Sequence, residues 1–532
     1  MFSKVLVFSL LGLAIAQQIY SPGNEANPNN VITESCSRKV DVAIIGAGAT
    51  GAYAAYRLRN ESLTIEVIEM SEVVGGRHLT ARMPGVQDIP VELGESMFAD
   101  IHDTVQQLVE ELDLTSEECP MAYGMKNKAR YHLRGQSISE EEIISGKQLP
   151  YTLTPEEKQN QGRIIEYAFE KLTGENYDPD MSREDRIKLE TKEGKRLSEL
   201  TFDEAMEKVL SPEGKKFLED IVKSKVSLYK DASALEIFHN EMDYHSKNAT
   251  LYKIKEGMDA LPMTLLDKFL KASDSHNVTL NRKLEAIQRF RNMTYILKLK
   301  QTRTKDGLVE LLGPEEHICA EKIILALPRH SLDHLQWANM KKWKVVEALN
   351  AVKPVPLSKV VLTFNSPFWL VDPQNEENKV KLTDTILGQT YDLGKSNSSD
   401  KYLLMASQAE GEDVQELLRL NLQGPAIPGS ALGEYRVSQP LWERIKKELM
   451  AVHKISSIPE PLSGVAKFWI SPPHIGKNTV WRAGYDVDDV LSITRHPSLT
   501  DKVYVANPDL SKYNGWTEGG MEEVDKILEK YF

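Results

Sequence analysis

Cysteine is scarce in this chain: among 532 residues only Cys36, Cys119 and Cys319 occur. At most one internal disulfide can form, so the fold is no disulfide scaffold. The odd thiol is left either buried or pairing two chains into a homo-oligomer, and nothing near it in sequence supplies a base that would make it a nucleophile. No metal is expected. Positive charge is also in deficit, with 65 Lys+Arg against 78 Asp+Glu and a net charge of −13, which argues against a bulk nucleic-acid binder and for solubility. Beyond residue 16 no apolar run is long enough to span a bilayer, so no membrane span is expected.

What is present begins with a short basic start and an apolar run from Val5 to Ala16, ending Ala14-Ile15-Ala16. That pattern predicts a secretory signal at 1–16, cut before Gln17, and hence a secreted, extracellular protein. N-x-[ST] sequons at Asn60, Asn248, Asn277, Asn292 and Asn397 fit a glycoprotein of that compartment. Residues 17–39, rich in Asn, Pro and Gly, read as a flexible lead-in. The remaining length exceeds one comfortable core, so two intimately packed domains are the expectation.

The chain is organised around Val40-Asp-Val-Ala-Ile-Ile-Gly46-Ala-Gly48-Ala-Thr-Gly51. An apolar β-type run ends in GxGxxG, and Ala52 to Leu58 has helical composition, which puts the glycines at a strand-to-helix turn. There Gly46 permits the turn, Gly48 lets the backbone approach a pyrophosphate, and Gly51 lets helix and strand pack closely. Glu69 ends the next β-type run, near the roughly 20-residue spacing of an acid that grips a ribose hydroxyl. Gly75-Gly76-Arg77 follows, offering close backbone approach and a guanidinium for a second phosphate oxygen.

GxGxxG, a terminal Glu and an immediate Gly-Gly-Arg together resemble the FAD entry of the flavin amine oxidases. Within that group Cys36 to Gly48 and Ala55 to Asn60 look most like the secreted molluscan L-amino-acid oxidases of the aplysianin and achacin type. The resemblance implies an α/β fold: a Rossmann-like FAD-binding domain with a mixed-sheet substrate domain and a helical insertion. The expected segments are 40–100, 251–330 and 481–532 for the FAD domain, 101–250 for the helical and substrate region, and 331–480 for the substrate domain.

Further segments carry the likeness. Val91 to Phe98 stands where the family runs a stretch against the flavin; Glu92, Gly94 and Phe98 match, whereas Glu95 replaces a glycine. Met97 falls where amino-acid oxidases place the arginine that clamps the substrate carboxylate, and a thioether cannot do that. A different amine, another basic residue or lost turnover would each account for it. Leu284 matches an apolar residue by the adenine, and Lys359, in Lys-Val-Val-Leu-Thr-Phe364, matches the lysine that holds a water at the flavin. Trp481 and Tyr485 match aromatics near the substrate cavity. Gly515-Trp516-Thr517-Glu518-Gly519 matches the closing FAD segment, its backbone N–H groups facing flavin and pyrophosphate. Asn507 and Pro508 replace a glycine and a polar residue just before it, and Pro508 has no N–H to offer.

The resemblance implies an FAD-dependent oxidase acting on a small amine or L-amino acid with O2, giving keto acid, ammonia and hydrogen peroxide, with an antimicrobial role. Two other readings remain open: a secreted glycoprotein that keeps the fold without turnover, and an FAD oxidase of another substrate class, prenylcysteine-oxidase-like.

Overall fold

Central strands of a parallel sheet are covered on both faces and so read as continuous apolar runs rather than alternating ones. Val42 to Ile45 is such a run. In the computed structural model, which describes residues 36–119, 129–222, 230–246, 249–290, 294–305, 307–370, 379–471 and 476–532, it lies in strand Arg38–Ile45, flanked by parallel partners Ile65–Ile68 and Leu308–Leu325. The seven-stranded sheet continues to His276–Thr279 on one side and to Tyr295–Lys305 and Arg282–Arg289 on the other, and Val503–Val505 pairs with the end of Leu308–Leu325. The signal segment, most of the lead-in, Asn248 and Asn292 lie outside the described residues.

Helix Ala49–Leu58, buried through small residues together with Tyr53, Tyr56 and Leu58, packs against helices Ala260–Ala272 and Thr517–Tyr531. Residues from the start, middle and end of the chain thus share one apolar core. Cys36 and Cys319 are disulfide-bonded.

A second seven-stranded sheet runs Ser463–Trp469, Leu357–Phe364, Tyr402–Glu410, Gln389–Lys395, Val380–Thr383, Ala129–Leu133 and Gln136–Ser139. Every residue of Leu357–Phe364 is buried, with antiparallel neighbours on both sides. Helices Asp413–Asn421 and Gln439–His453 cover one face through Trp369, Trp442 and Phe364. Between Tyr151 and Met242 a cluster of short helices closes around Phe169, Phe202, Phe217 and Phe238. Ile164, Ala168 and Leu172 fall on one buried face of helix Ile164–Thr173. No helix among the described residues is long and apolar enough to cross a membrane.

Candidate active site

The glycine turn is defined by what a side chain would strike. A Cβ on Gly51 would lie 1.9 Å from the Gly46 carbonyl oxygen, and one on Gly46, whose φ is +103°, would lie 2.5 Å from that of Ala326. Helix and strand can meet only without these atoms. Gly48 differs: a Cβ there would come no closer than 3.6 Å to anything, and it faces Gly75 and Gly76 across a bridge, with φ of +110° and +60° at the pair. Two stretches of bare backbone therefore approach each other at the start of Ala49–Leu58, whose N-terminus carries no side-chain cap and no acidic residue in its first turn. That is an electropositive, accessible cradle suited to a dinucleotide pyrophosphate.

Glu69 closes the cradle's rim. Its carboxylate accepts from Ala47 N at 2.9 Å and from Ser71 N and Oγ, both at 2.9 Å. Arg77 is engaged with protein: Nη1 donates to Asp509 Oδ1 at 2.6 Å and to the Lys477 carbonyl at 2.9 Å. Asp509 also accepts from Arg329 N, while its own N–H donates to Asn507 Oδ1. Asn507 Nδ2 donates to the Leu327 carbonyl, and the Pro508 carbonyl accepts from Gly515 N. The two residues that depart from the family pattern thus build the turn leading into Gly515, whose φ is +82°.

After the turn, helix Thr517–Tyr531 starts without a side-chain cap. Thr517 Oγ1 meets His78 Nε2 at 3.1 Å. Glu518 turns away, its two oxygens accepting from Thr104 N and Val105 N at 3.0 Å each, which caps helix Asp103–Glu111 from outside. Leu284 is buried in Arg282–Arg289 beside Ile287 and Leu297.

The substrate end gathers around Lys359. This lysine is 2% exposed, and Nζ donates to the carbonyls of Glu92 (3.0 Å) and Gly94 (2.8 Å) and to Ser96 Oγ. One side chain of the second sheet thereby fixes the stretch that follows Gly-Gly-Arg. Gly94 lets this stretch lie against the backbone of Arg77, since a Cβ there would lie 1.9 Å from the Arg77 carbonyl oxygen. Burial, helped by the charge of Lys477, holds the Lys359 ammonium well below its ordinary pKa, and burial holds the Glu92 carboxyl well above its own. Glu95 is buried too. Burial opposes its ionisation, but Lys477 Nζ, 3.0 Å from Oε2, together with His78 and Lys359, outweighs that and keeps its pKa lowered.

Met97 packs with Ala99, Tyr244 and Leu251, with Trp516 against the cluster. Tyr244 stacks on Trp516 with centroids 4.9 Å apart and an interplanar angle of 23°, and His102 stands edge-on to both rings. His102 Nδ1 accepts from Ala99 N at 3.1 Å, so in the neutral ring Nε2 carries the proton and donates to Tyr244 Oη at 3.0 Å. Burial lowers this imidazole's pKa to about 4 and that of His78 likewise. Trp481 is buried, with Nε1 donating to the Ser511 carbonyl. Tyr485 lies apart, its hydroxyl donating to Glu347. The structure therefore brings Met97, Trp516 and Thr517 near residues that sequence reasoning did not select: His78, His102, Tyr244 and Lys477. Only Glu95 carried a signal, as a charge in place of a glycine.

The family described as flavin containing amine oxidoreductase matches residues 50–521. Achacin of Lissachatina fulica is 39% identical over 503 residues, spanning 93% of this chain and 94% of its own length. Aplysianin-A of Aplysia kurodai is 38% identical over 509 residues, spanning 94% and 91%. Among solved structures, putrescine oxidase bound to putrescine aligns over 92% of this chain and 98% of its own with a TM-score of 0.64 at 16% identity. Cyclohexylamine oxidase from Brevibacterium oxydans gives 0.63, also at 16% identity, over 92% and 99%. The expected fold and the expected likeness to the achacin and aplysianin type both hold.

Proposed function

From the premise that this chain belongs to the flavin containing amine oxidoreductase family, with FAD as its cofactor, we propose that it is a secreted oxidase that deaminates L-amino acids or amines, releases hydrogen peroxide and acts against microbes. The observation that carries the reading is Lys359, an ammonium held at 2% exposure by carbonyls of the segment that follows the nucleotide cradle. A buried amine so placed is costly to keep for structure alone.

FAD, when bound, would supply the hydride acceptor for the substrate Cα–H and the route for electrons to O2, giving peroxide. Gly46, Gly48, Gly51 and Gly76 would seat the pyrophosphate against the N-terminus of Ala49–Leu58. Glu69 would meet the ribose and Leu284 the adenine. Gly515 to Glu518 would bring the start of the last helix to the flavin, while Arg77 shapes the cradle through Asp509. Lys359 Nζ gives its three N–H donors to Glu92, Gly94 and Ser96, so the expected water would meet it only at the neutral amine's lone pair, which its lowered basicity makes available for proton exchange. Met97, Trp516 and Trp481 wall the substrate with apolar surface.

Secretion is supported by the signal-like start, by exposed sequon asparagines at Asn60, Asn277 and Asn397, and by the disulfide. The test is the visible spectrum of the purified secreted protein, followed in the same cuvette by anaerobic addition of L-amino acids and amines. Flavin bands that bleach with one compound are expected. Bands that never bleach would leave a flavoprotein without amine turnover, and a colourless protein would sink the enzyme reading.

A further inference from the structure

Helix Arg329–His334 is only six residues long, yet it is held from several sides. Arg329 N donates to Asp509 Oδ2 at 2.9 Å, its Nε to the Leu349 carbonyl at 2.5 Å and its Nη2 to Asn350 Oδ1 at 3.2 Å. Arg329 Nη1 pairs with Asp333, and Leu332 is fully buried. On this fixed turn His330 and His334 stand at i and i+4, the spacing that brings side chains together on one side of a helix. His330 is half-buried and His334 exposed.

The two imidazoles meet at Nε2, with the nitrogens 3.0 Å apart, the ring centroids 4.7 Å apart and the planes at 77°. Nε2 lies about 1.15 Å from the centre of its ring, so a straight, head-on contact would set the centroids about 5.3 Å apart. The rings are therefore inclined to that line. A metal ion on the Nε2 axis of both rings, at about 2.0–2.1 Å from each nitrogen, requires centroids about 4.7 Å apart, which is the separation found. At those bond lengths the two nitrogens subtend about 91–97° at the ion, the angle between neighbouring positions of a square or tetragonal site. A tetrahedral site asks for nitrogens about 3.3–3.4 Å apart. His330 Nδ1 stands 3.7 Å from Asp333 Oδ2, a carboxylate on the side where a metal-ligating imidazole carries its other N–H. Burial, helped by His334, lowers the His330 pKa, which keeps the ring in its neutral, ligating form at neutral pH.

We propose that His330 and His334 form a two-histidine site for a divalent transition-metal ion of tetragonal preference, Cu(II) first and Ni(II) after it. Imidazole nitrogens suit both ions, and Cu(II) stands highest in the general order of affinities. Binding replaces the N–H···N bond between the rings with two metal–nitrogen bonds, and each ring then carries its proton on Nδ1. Among the described residues no group of three or more His, Cys, Asp and Glu side chains is arranged to hold a metal, so the pair supplies two ligands and water completes the rest. The site uses none of the residues assigned to cofactor or substrate, and it stands whether or not the chain oxidises amines.

The test takes the purified secreted protein, freed of metal with a chelator and dialysed, and titrates it calorimetrically with Cu(II), Ni(II) and Zn(II). The electron paramagnetic resonance of the Cu(II) form is recorded alongside. Wild type should take up one Cu(II) per chain, at least tenfold more tightly than Zn(II), with an axial spectrum split by two imidazole nitrogens. His330→Asn and His334→Asn should each weaken Cu(II) binding at least tenfold, and any remaining signal should have lost the coupling to the nitrogen pair. Flavin absorbance and the melting temperature of the metal-free variants report that they are folded. If His330→Asn fails to fold, His334→Asn, at an exposed position, decides alone. The proposal is overturned if wild-type protein takes up no Cu(II), if a folded variant binds it as wild type does, if the bound ion is coupled to one nitrogen only, or if Zn(II) binds as tightly as Cu(II).

Discussion

The nucleotide cradle and the ground around Lys359 are built in opposite ways. The cradle consists of missing side chains: Gly46, Gly48 and Gly51 follow directly on the strand that presents them, and Gly75 and Gly76 return to the same turn after the next strand, all acting by what they lack. The substrate end consists of side chains that arrive from distant segments. Lys359 comes from the second sheet, Glu92, Glu95 and Ser96 from the stretch after Gly-Gly-Arg, and Lys477 from a later connection. Backbone sites such as Gly46 and Gly51 tolerate no added Cβ, whereas side-chain sites tolerate exchange if the partner changes too.

That contrast predicts its own breakage, most severely at Gly51. Gly51→Val places a Cβ 1.9 Å from a backbone oxygen that has nowhere to go. Overpacking of this kind costs about 1–3 kcal/mol where the surroundings give, and more where backbone must shift. Secreted yield should collapse, and any surviving protein should have lost its flavin absorbance. A normal flavin-to-protein absorbance ratio in Gly51→Val would refute the cradle reading.

Lys359→Met comes next. It removes the proton-exchanging amine and keeps the length, so flavin should stay bound while turnover falls by about 10²–10⁴, the usual range for a general acid–base group. Peroxide release set against bound flavin checks this. A drop that follows flavin loss alone would reduce Lys359 to a structural tie.

The ion pair of Glu95 and Lys477 offers a finer test. Both carboxylate and ammonium are nearly sealed, with side-chain exposures of 7% and 11%. Removing one partner of such a pair costs about 3–5 kcal/mol, because the other charge is left buried, while replacing both is often neutral. Glu95→Gln alone should therefore lower the thermal midpoint sharply, and Glu95→Gln with Lys477→Met should recover most of it. Additive losses in the double variant would show that the two residues do not act as a pair.

Legibility in the sequence follows the same division. Glycines at fixed spacing beside an apolar run state their geometry locally, so Gly46, Gly48, Gly51 and Glu69 are readable from the residues alone. Lys359 is legible only through resemblance, and its partners are not, since nothing at position 359 names the carbonyls of Glu92 and Gly94. Glu518 illustrates the limit from the other side: its motif places it at the flavin, while its carboxylate caps the helix that starts at Asp103. Asn507 and Pro508, which in the sequence look like lost contacts, form the turn that sets Gly515. Sites assembled from single side chains of separate segments leave no local period to read.

The smallest effect concerns His102, where the two modes of construction meet: a side chain whose role is fixed by a backbone N–H. Its Nδ1 accepts from Ala99 N, so protonating that nitrogen breaks the bond as well as placing a charge in a sealed site. Burial sets the folded pKa at about 4, against 6.5 for the unfolded chain. Below 6.5 the unfolded chain takes up the proton first, so the stability that His102 contributes is complete above pH 6.5, declines as pH falls, and is gone near pH 4. At about 1.36 kcal/mol per pKa unit the loss is about 3 kcal/mol. His78, lowered to the same value by the same cause, adds a parallel loss over the same window. His102→Asn keeps an acceptor for Ala99 N without a titrating ring, so the fall in urea midpoint between pH 6.5 and pH 4 should shrink by about half of what the two imidazoles contribute. If the variant loses as much as wild type across that window, His102 is already charged or already exposed, and the sealed aromatic wall of Tyr244 and Trp516 is open to water.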